Sequence, residues 1–241
     1  MSKLLLFRGS PRSNIPDVEI ENPKLEKYAD VLCVRYAFEF DAYKWARDYF
    51  LSHPEYDYFV IATDDIVVKP EHLKQLKEDI EKRHDAVIGG MMNVDQHEYM
   101  DDWGNLNICY ELGLKDRKLR EYIWIKRNQL PVEDIFQVNF NGFALLAIRR
   151  DIVKLFPFHS DGIFRGTGVS FGASLDFVFC WNCYEYEWMD KDGKMNMSIP
   201  IFVDQRIDMQ HLRTSGEIQA GNREKEVWLN GKLLQMGLNP L

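Results

Sequence analysis

The feature that most constrains the fold is a short, uninterrupted apolar run that ends on two adjacent aspartates. Residues 58–62 (Tyr-Phe-Val-Ile-Ala) have the length and continuous hydrophobicity of a strand that is buried on both faces, as in parallel sheets. Asp64 and Asp65 follow this run, and Pro70 then stands at a favoured first position of a helix. The buried stripe of that helix is predicted to comprise Leu73, Leu76 and Ile80. The segment therefore predicts a strand–loop–helix unit of an α/β domain.

Neighbouring segments complete the predicted domain. Four further elements are expected: strands at 3–7, 30–36 and 86–90, and an amphipathic helix at 39–51. The third of these strands is expected to end on a turn at Gly89 and Gly90. This alternation predicts an α/β, Rossmann-like fold, in which a mixed, mostly parallel sheet is flanked by helices in a single domain. Ligands bind such sheets beyond the carboxyl ends of strands, where Asp64 and Asp65 are expected to lie.

The second half of the chain gives weaker signals. Residues 91–130 are expected to form a long loop with some local structure, or a mobile lid. Asn141 and Gly142 are expected to form a turn between two strands within 136–148. The remaining predicted elements are helices at 151–156 and 175–187, an irregular glycine-rich segment at 161–172 and a strand at 199–203. From Glu217 onward, a closing helix or a partner contact is expected, which includes contact with a second copy of the chain.

Composition excludes several classes of protein. The chain has 241 residues, 46% of them hydrophobic, and a formal net charge of -8, which fits a globular enzyme and opposes nucleic-acid binding. No run approaches the roughly 18–20 apolar residues of a transmembrane helix. The first residues carry too short an apolar run for a secretory signal. We therefore expect a cytoplasmic protein with no transmembrane segment and no nucleic-acid partner.

The two aspartates are candidates for a site that binds a metal ion and phosphate. Mg²⁺ and Mn²⁺ prefer carboxylate and phosphate oxygens, and they leave coordination positions to water and substrate. Neighbouring side chains of a strand point to opposite faces, so Asp64 and Asp65 can share a ligand only where the strand has ended. Adjacent aspartates also form turns and cap helices, and the pair alone does not separate the two interpretations.

Other side chains are candidates for nucleotide or metal binding. Arg8, Gly9 and Ser10 are expected at the end of the first strand, and Arg35 at the end of the second, where each could contact a nucleotide. Turn chemistry explains Gly9 and Ser10 equally well. Two cysteines, Cys180 and Cys183, form a single C-x-x-C pair inside an aromatic segment, which favours buried thiols over a metal site.

Four segments, in order, resemble the GT-A fold glycosyltransferases, notably family 2. Residues 59–66 resemble the D-x-D region, and residues 141–151 resemble the strand that precedes an Arg-Arg-Asp helix start. Residues 174–179 resemble the Glu-Asp-x-x-hydrophobic motif, whose aspartate is the catalytic base of that family. Asp204 to His211 resembles the last strand, where a histidine often completes the metal site. The similarity spans about residues 55–212.

The resemblance implies the domain organisation and the reaction. A GT-A-like catalytic domain is expected at 1–212, with a nucleotide-binding half at 1–90, an acceptor half at 91–212 and a C-terminal tail at 213–241. The implied enzyme uses Mn²⁺ or Mg²⁺ to move a sugar from a nucleoside diphosphate sugar to a hydroxyl of a glycan, lipid or protein acceptor.

The resemblance also implies residue roles. Asp65, Asp64 and His211 would bind the metal, and Asp64 would also contact the ribose. Asp176 would act as the base of an inverting transfer, although an aspartate at this place can also cap the helix that follows. The roles predicted for metal binding and catalysis therefore fall on four side chains.

Two departures from the family pattern limit what the resemblance implies. Residues 34–37 (Val-Arg-Tyr-Ala) lack the acidic, Gly-Ser-containing motif that often reads the base, which leaves the nucleotide open. The Gln-x-x-Arg-Trp motif of processive synthases is absent, which favours a single transfer. Two alternatives remain at this stage: a nucleotidyltransferase that forms nucleotide sugars, and a glycan-binding domain of the same fold without catalytic activity.

Overall fold

One eight-stranded mixed sheet organises the part of the chain that the structure describes. The structure is a computed structural model that describes residues 2–10, 16–35, 37, 39–93, 105–115, 118–158, 174–189 and 195–211. The strand order is β2-β1-β3-β10-β5-β13-β4, with β8 beside β13. The bounds are β1 Leu4–Ser10, β2 Asp30–Arg35, β3 Tyr58–Ala62, β4 Ile66–Val67, β5 Val87–Met92, β8 Ile135–Val138, β10 Ala144–Arg149 and β13 Ile201–His211.

The strand directions bring several chain segments to one edge of the sheet. Strands β1, β2 and β3 are parallel, and β5 is parallel to β13. Strand β10 is inserted between β3 and β5 and runs antiparallel to both, so Ala144 at its start lies opposite Ala62 at the end of β3. The predicted mixed, mostly parallel sheet in a single domain is therefore confirmed. The amino end of β10 lies at the same edge as the carboxyl ends of β1, β2 and β3.

Helices cover both faces of the sheet, because the side chains of its central strands alternate between two apolar clusters. Leu5 and Phe7 of β1 belong to one cluster, and Leu4 and Leu6 belong to the other. Helices α2 Glu39–Ser52, α4 Arg150–Leu155 and α5 Ser174–Glu185 pack on the first face, and α1 Pro16–Leu25 and α3 Pro70–Arg83 pack on the second. No helix among the described residues has the length and apolar content needed to cross a membrane.

The predicted strand–loop–helix unit is confirmed. Strand β3 covers residues 58–62 as expected, and α3 begins at Pro70 with its stripe of Leu73, Leu76 and Ile80 fully buried. Helix α1 was not predicted from the sequence. Pro23 lies inside it, and an internal proline removes a backbone hydrogen bond and argues against a helix when only the sequence is read.

The expected turn at Gly89 and Gly90 is wrong, because β5 continues through both residues. A Cβ atom on Gly89 would lie 2.8 Å from the carbonyl oxygen of Leu145, and one on Gly90 would lie 2.6 Å from that of Ile207. The two glycines therefore allow the backbones of the neighbouring strands to approach closely, which is a different use of glycine from a turn.

The long loop or lid expected at 91–130 is also wrong for most of its length. Strands β6 Asn105–Lys115 and β7 Lys118–Lys126 form an antiparallel hairpin, and β9 Phe140–Asn141 extends it to a three-stranded sheet. The 3₁₀ turn Arg127–Gln129 follows β7, and residues 94–104 lie outside the described residues. Charged residues interrupt the apolar pattern of the hairpin, so its sequence resembles a loop.

Two further expectations about strands change. Strand β13 is much longer than the predicted 199–203, and it reaches the loop that follows β3. Asn141 lies in β9 and not in the turn that was expected at Asn141 and Gly142, and the flanking strands pair elsewhere, β8 with β13 and β10 with β3 and β5. A small hairpin, β11 Glu187–Met189 and β12 Met195–Met197, was not predicted.

The glycine-rich segment at 161–172 and the tail at 213–241 lie outside the described residues. The domain bounds and the division at residue 90 stay predictions.

A buried pair of acids joins α3 to β13. Asp79 of α3 is 4% exposed and Asp204 of β13 is fully buried. Nη2 of Arg206 lies 2.7 Å from Oδ2 of Asp204 and 3.2 Å from Oδ1 of Asp79. Burial, reinforced by the neighbouring Asp204, raises the pKa of Asp79 to about 7. Burial opposes ionisation of Asp204 as well, but the hydrogen bonds from Arg206 outweigh it and lower the pKa of Asp204.

Asp79→Asn is expected to stabilise the protein more at pH 8 than at pH 5. The folded protein holds the proton of Asp79 more tightly than the unfolded chain, so the stabilisation from this proton is fully present only below the ordinary pKa of 3.8 and is lost as pH rises through about 7. Asparagine resembles the protonated acid and has no such pH dependence. We expect a gain on the order of 1–2 kcal/mol at pH 8, or about 2–8 °C in melting temperature.

Thermal unfolding at the two pH values checks this expectation. Asp134→Asn is the matched control, because Asp134 also contacts Arg206, at 3.3 Å, but its side chain is 61% exposed. The control should show no gain that depends on pH. Equal changes of the Asp79 variant at pH 5 and pH 8 would contradict the account of the buried pair.

Candidate functional site

A tight loop at the carboxyl end of β3 carries the two candidate aspartates. Strand β3 ends at Ala62, and residues 63–65 form the turn that leads into β4. The amide of Ile66 donates to the carbonyl oxygen of Thr63, at 3.4 Å, and the Thr63 hydroxyl donates to Oδ1 of Asp65, at 2.9 Å. The strand has therefore ended before the aspartates, as the metal interpretation requires. Asp64 and Asp65 are both half-buried.

His211 reaches this loop through strand pairing. Ile66 of β4 lies opposite His211, the last residue of β13, in an antiparallel ladder. Nε2 of His211 consequently lies 3.3 Å from Oδ2 of Asp65, and their side chains are 11% and 23% exposed. The structure thus brings together two side chains that are 146 positions apart in the sequence.

Arg8 contacts the same loop from β1. Its side chain is almost fully buried, and Nη2 donates to the carbonyl oxygens of Thr63, at 3.3 Å, and of Ile66. The guanidinium group therefore holds both ends of the turn that presents Asp64 and Asp65. This positioning contact was not foreseen in the sequence, where Arg8 was considered only for nucleotide binding.

The other nucleotide candidates lie in strands rather than in a turn. Strand β1 extends through Gly9 to Ser10, so the boundary expected at residue 7 is wrong. Ser10 pairs with Arg35, the last residue of β2, and Gly9 pairs with Val34. Because β1 and β2 are parallel to β3, these residues lie at the same sheet edge as the aspartate loop. Their contact with a nucleotide stays a prediction.

Asp176 lies near the same edge, in helix α5 on the first face of the sheet. It lies in the first turn of α5, where its Oδ1 accepts a hydrogen bond from the amide of Phe177, at 2.7 Å. A Cβ atom on Gly142 would lie 3.1 Å from Oδ2 of Asp176, so the carboxyl group rests against the backbone just before β10. Burial raises the pKa of Asp176 to about 7, and the amide of Phe177 only partly offsets this. Such a pKa suits a group that accepts a proton near neutral pH.

Comparison with protein families identifies the chain. The model described as "Glycosyl transferase family 2" matches residues 22–155, which is more than half of the chain and includes β3, the aspartate loop and β10. The chain belongs to glycosyltransferase family 2. The GT-A fold expected from the sequence is confirmed with it, and the protein is a glycosyltransferase-type enzyme.

Two solved structures that resemble this family 2 chain do so with low sequence identity. The structure titled "Crystal Structure of A197 from STIV" has a TM-score of 0.45 and 13% identity, and covers 81% of this chain and 94% of its own. A CMP:2-keto-3-deoxy-manno-octonic acid synthetase complexed with CTP has a TM-score of 0.44 and 11% identity, with 95% and 100% covered. No curated protein sequence matches significantly.

The donor set at the aspartate loop fits a hard divalent cation. Members of family 2 generally use one. Within the described ranges, no group of three or more His, Cys, Asp or Glu side chains is arranged to hold a metal. The adjacent Oδ2 of Asp65 and Nε2 of His211 supply two donors, and Asp64 is the next residue along the loop. Mg²⁺ is commonly held by one or two carboxylates, with water and substrate phosphates as the other ligands, so a small protein donor set is compatible with the family.

Three of the four cysteines of this enzyme lie in the core. None of the four forms a disulfide, and Cys109, Cys180 and Cys183 are fully buried. Burial raises the pKa of Cys109 to about 12 and also raises the pKa of Cys180 and of Cys183. Protonated thiols are poor nucleophiles and poor metal ligands, so the predicted interpretation of the C-x-x-C pair as buried thiols agrees with the structure.

A surface cleft of about 480 Å³ lies at the opposite edge of the sheet, beside Asp57, Tyr58 and Arg149. Its arginines already bind protein groups. Arg149 pairs with Asp151 at 2.7 Å, and Arg150 donates to carbonyl oxygens at the end of α2, including that of Phe50 at 2.9 Å. These contacts explain the two arginines as fixing α2 and α4 in place, and they leave the aspartate edge as the candidate site.

Proposed function

We propose that this family 2 enzyme moves a sugar from a nucleoside diphosphate sugar to an acceptor hydroxyl, with a divalent cation, in a single inverting transfer. The observation that carries the proposal is the 3.3 Å approach of His211 to Asp65 at the carboxyl end of β3. This contact joins two segments that resemble motifs of the family and that lie far apart in the sequence. The position of Asp176 at the same sheet edge supports it further.

The donor would bind along the carboxyl ends of β1, β2 and β3. Asp65 and His211, with Asp64, would hold Mn²⁺ or Mg²⁺ against the diphosphate, and Asp64 would also contact the ribose. The cation, when bound, neutralises the negative charge that grows on the departing diphosphate. Arg8, Gly9, Ser10 and Arg35 are the further candidates for nucleotide contacts. Of these, Arg8 would also act indirectly, because it fixes the loop that carries Asp64 and Asp65.

The transfer needs a proton acceptor on the acceptor side of the sugar. Asp176, as the carboxylate, would take the proton of the acceptor hydroxyl while the acceptor oxygen bonds to the anomeric carbon. The bond between the anomeric carbon and the diphosphate oxygen breaks, and its electron pair leaves with the diphosphate. Attack from the face opposite the leaving group inverts the anomeric configuration. The acceptor would be a glycan, lipid or protein hydroxyl, and the location of the enzyme would be cytoplasmic.

A thermal-shift panel tests the proposal. UDP, GDP, CDP and dTDP sugars, and the corresponding nucleoside triphosphates, are added with Mn²⁺, with Mg²⁺ or with EDTA, and the melting temperature is recorded. One nucleotide class should raise the melting temperature only when a cation is present. At a ligand concentration of 100 Kd, the free energy of unfolding should rise by about 2.7 kcal/mol. Stabilisation that ignores the cation would contradict the metal assignment. Stabilisation by a nucleoside triphosphate alone would favour the nucleotidyltransferase alternative, and no response to any nucleotide would favour the glycan-binding one.

A further inference from the structure

Two buried asparagines form a closed hydrogen-bond network beneath the candidate site. Asn107 of β6 is 1% exposed and Asn141 of β9 is fully buried. Oδ1 of Asn107 accepts from the amide of Met92, at 2.8 Å, and its Nδ2 donates to Oδ1 of Asn141, at 3.0 Å. Nδ2 of Asn141 donates to the carbonyl oxygen of Gly90, at 2.9 Å. Buried polar networks whose groups are satisfied in this way hold their members in one arrangement.

The same network binds both the amide N–H and the carbonyl oxygen of Gly142. The amide of Gly142 donates to the backbone carbonyl of Asn107, at 2.9 Å, and the carbonyl of Gly142 accepts from Nδ2 of Asn107, at 3.3 Å. One residue, Asn107, therefore binds the end of β5 and both backbone groups of Gly142. The position of Gly142 relative to the sheet is set by these bonds.

Gly142 is the backbone against which the Asp176 carboxyl group rests. A Cβ atom there would lie 3.1 Å from Oδ2 of Asp176, which is tighter than an ordinary contact. The next residues adopt backbone conformations that bulky side chains rarely adopt, with φ of 21° at Phe143 and 60° at Leu145. Such conformations persist where surrounding contacts impose them, and they are found disproportionately at functional sites.

A purely structural role would explain part of this arrangement. Asn107 joins the hairpin sheet to the main sheet, and its loss would then lower stability alone. A role in joining the sheets does not by itself account for the bond to Gly142, whose backbone lies against the carboxyl group of Asp176. The geometry is more specific than joining requires, because the Nδ2 of Asn107 reaches the carbonyl oxygen of Gly142 itself.

We propose that Asn107 is a positioning residue for sugar transfer: through Gly142 it sets where the Asp176 carboxyl group stands relative to the acceptor. The inference rests on the proposed function, in which Asp176 takes the acceptor proton. The hydrogen bonds of Asn107 go to Met92, Asn141 and Gly142 and not to the aspartate loop, so Asn107 should affect the chemical step and leave donor binding alone. Misplacement of a reacting group by about 1 Å can cost about 10²-fold in rate.

Two variants test the proposal from opposite sides. Asn107→Ala removes the amide, and Gly142→Ala leaves the amide in place but adds a methyl group against Oδ2 of Asp176. Both should lower kcat at least tenfold, with unchanged KM for the donor and an unchanged nucleotide-induced thermal shift. The midpoint of the acid side of the pH–rate profile should also move, because the surroundings of Asp176 change. Asn128→Ala, at an exposed position of the 3₁₀ turn, is the control and should change none of these.

A double-mutant cycle separates positioning from stability. If Asn107 acts through Asp176, then Asn107→Ala should cause no further loss of kcat in an Asp176→Asn background. Additive losses, or an unchanged kcat in Gly142→Ala, would overturn the proposal. Gly142→Ala keeps the test decisive if Asn107→Ala fails to fold. Failure of the proposed function is distinguishable, because the unmodified protein would then show no transfer and no cation-dependent nucleotide binding.

Discussion

Asp176→Asn is expected to lower kcat for sugar transfer by about 10²–10⁴-fold and to leave donor binding intact. Asparagine has the shape of aspartate and can still accept the hydrogen bond from the amide of Phe177, so α5 should keep its start. It cannot take a proton from the acceptor hydroxyl. The measurement is kcat, donor KM and the nucleotide-induced thermal shift of the variant beside the unmodified protein. Asp48→Asn, at an exposed acid of α2, is the control.

The pH dependence of the unmodified protein gives an independent check on Asp176. Its raised pKa of about 7 means that the reactive carboxylate is lost as pH falls through 7, so kcat should fall on the acid side. The stability of the folded protein depends on pH in the opposite direction to kcat. The folded state holds this proton more tightly than the unfolded chain, so the stabilisation is present at low pH and is lost as pH rises through about 7. Asp176→Asn should therefore be no less stable at pH 8.

Two results would overturn the assignment of Asp176. If the variant lost cation-dependent nucleotide binding together with transfer, the role of Asp176 would be structural. If transfer persisted at near-normal kcat, another group would take the proton. Unfolding could not explain a lost activity in a variant whose melting temperature at pH 8 matched or exceeded that of the unmodified protein.

Asp65→Asn is expected to abolish the dependence of nucleotide binding on the cation and to lower transfer by about 10²–10³-fold, equivalent to several kcal/mol. An asparagine oxygen can still accept from the Thr63 hydroxyl, so the turn should remain. In the proposed function, the lost negative charge would hold the cation against the diphosphate. The measurement is the melting temperature with the preferred nucleotide, with and without Mn²⁺, and kcat at saturating donor.

Asp64→Asn is the matched comparison, because it alters the adjacent residue of the same loop. Its proposed part is a ribose contact or a shared metal contact, so nucleotide binding should weaken while the cation still strengthens it. If the two variants exchanged these behaviours, the roles of Asp64 and Asp65 would be reversed. If Asp65→Asn bound nucleotide as tightly as the unmodified protein and still depended on Mn²⁺, the cation would bind elsewhere.

The strand–loop–helix unit around Asp65 could be predicted because its signals are local. Continuous hydrophobicity over 58–62 reports a strand that is buried on both faces, and Pro70 reports a helix start. Prediction from local sequence failed where one residue type has two structural roles. Gly89 and Gly90 suggested a turn, but they lie inside β5, where the neighbouring backbones leave no space for a Cβ atom. That requirement comes from strands distant in the sequence.

The site shows the same division. The sequence alone indicated Asp64, Asp65, Asp176 and His211 as candidates, because motif order and the chemistry of carboxylate and imidazole groups are properties of the residues themselves. It carried no signal for Asn107, a single amide in a segment that resembled a loop, nor for Arg8 as the residue that holds the aspartate turn. Both act through backbone groups, whose partners depend on the fold and not on residue type.

The sequence by itself determined the type of domain, the buried strand that ends on Asp64 and Asp65, and the family of the enzyme. The tertiary structure decided which distant residues meet at that strand end. The antiparallel pairing of β4 with the end of β13 brings His211 to Asp65, and the insertion of β10 between β3 and β5 brings Gly142, and with it Asp176, to the same edge. Strand order and register depend on packing across the whole sheet, which local residue patterns do not encode.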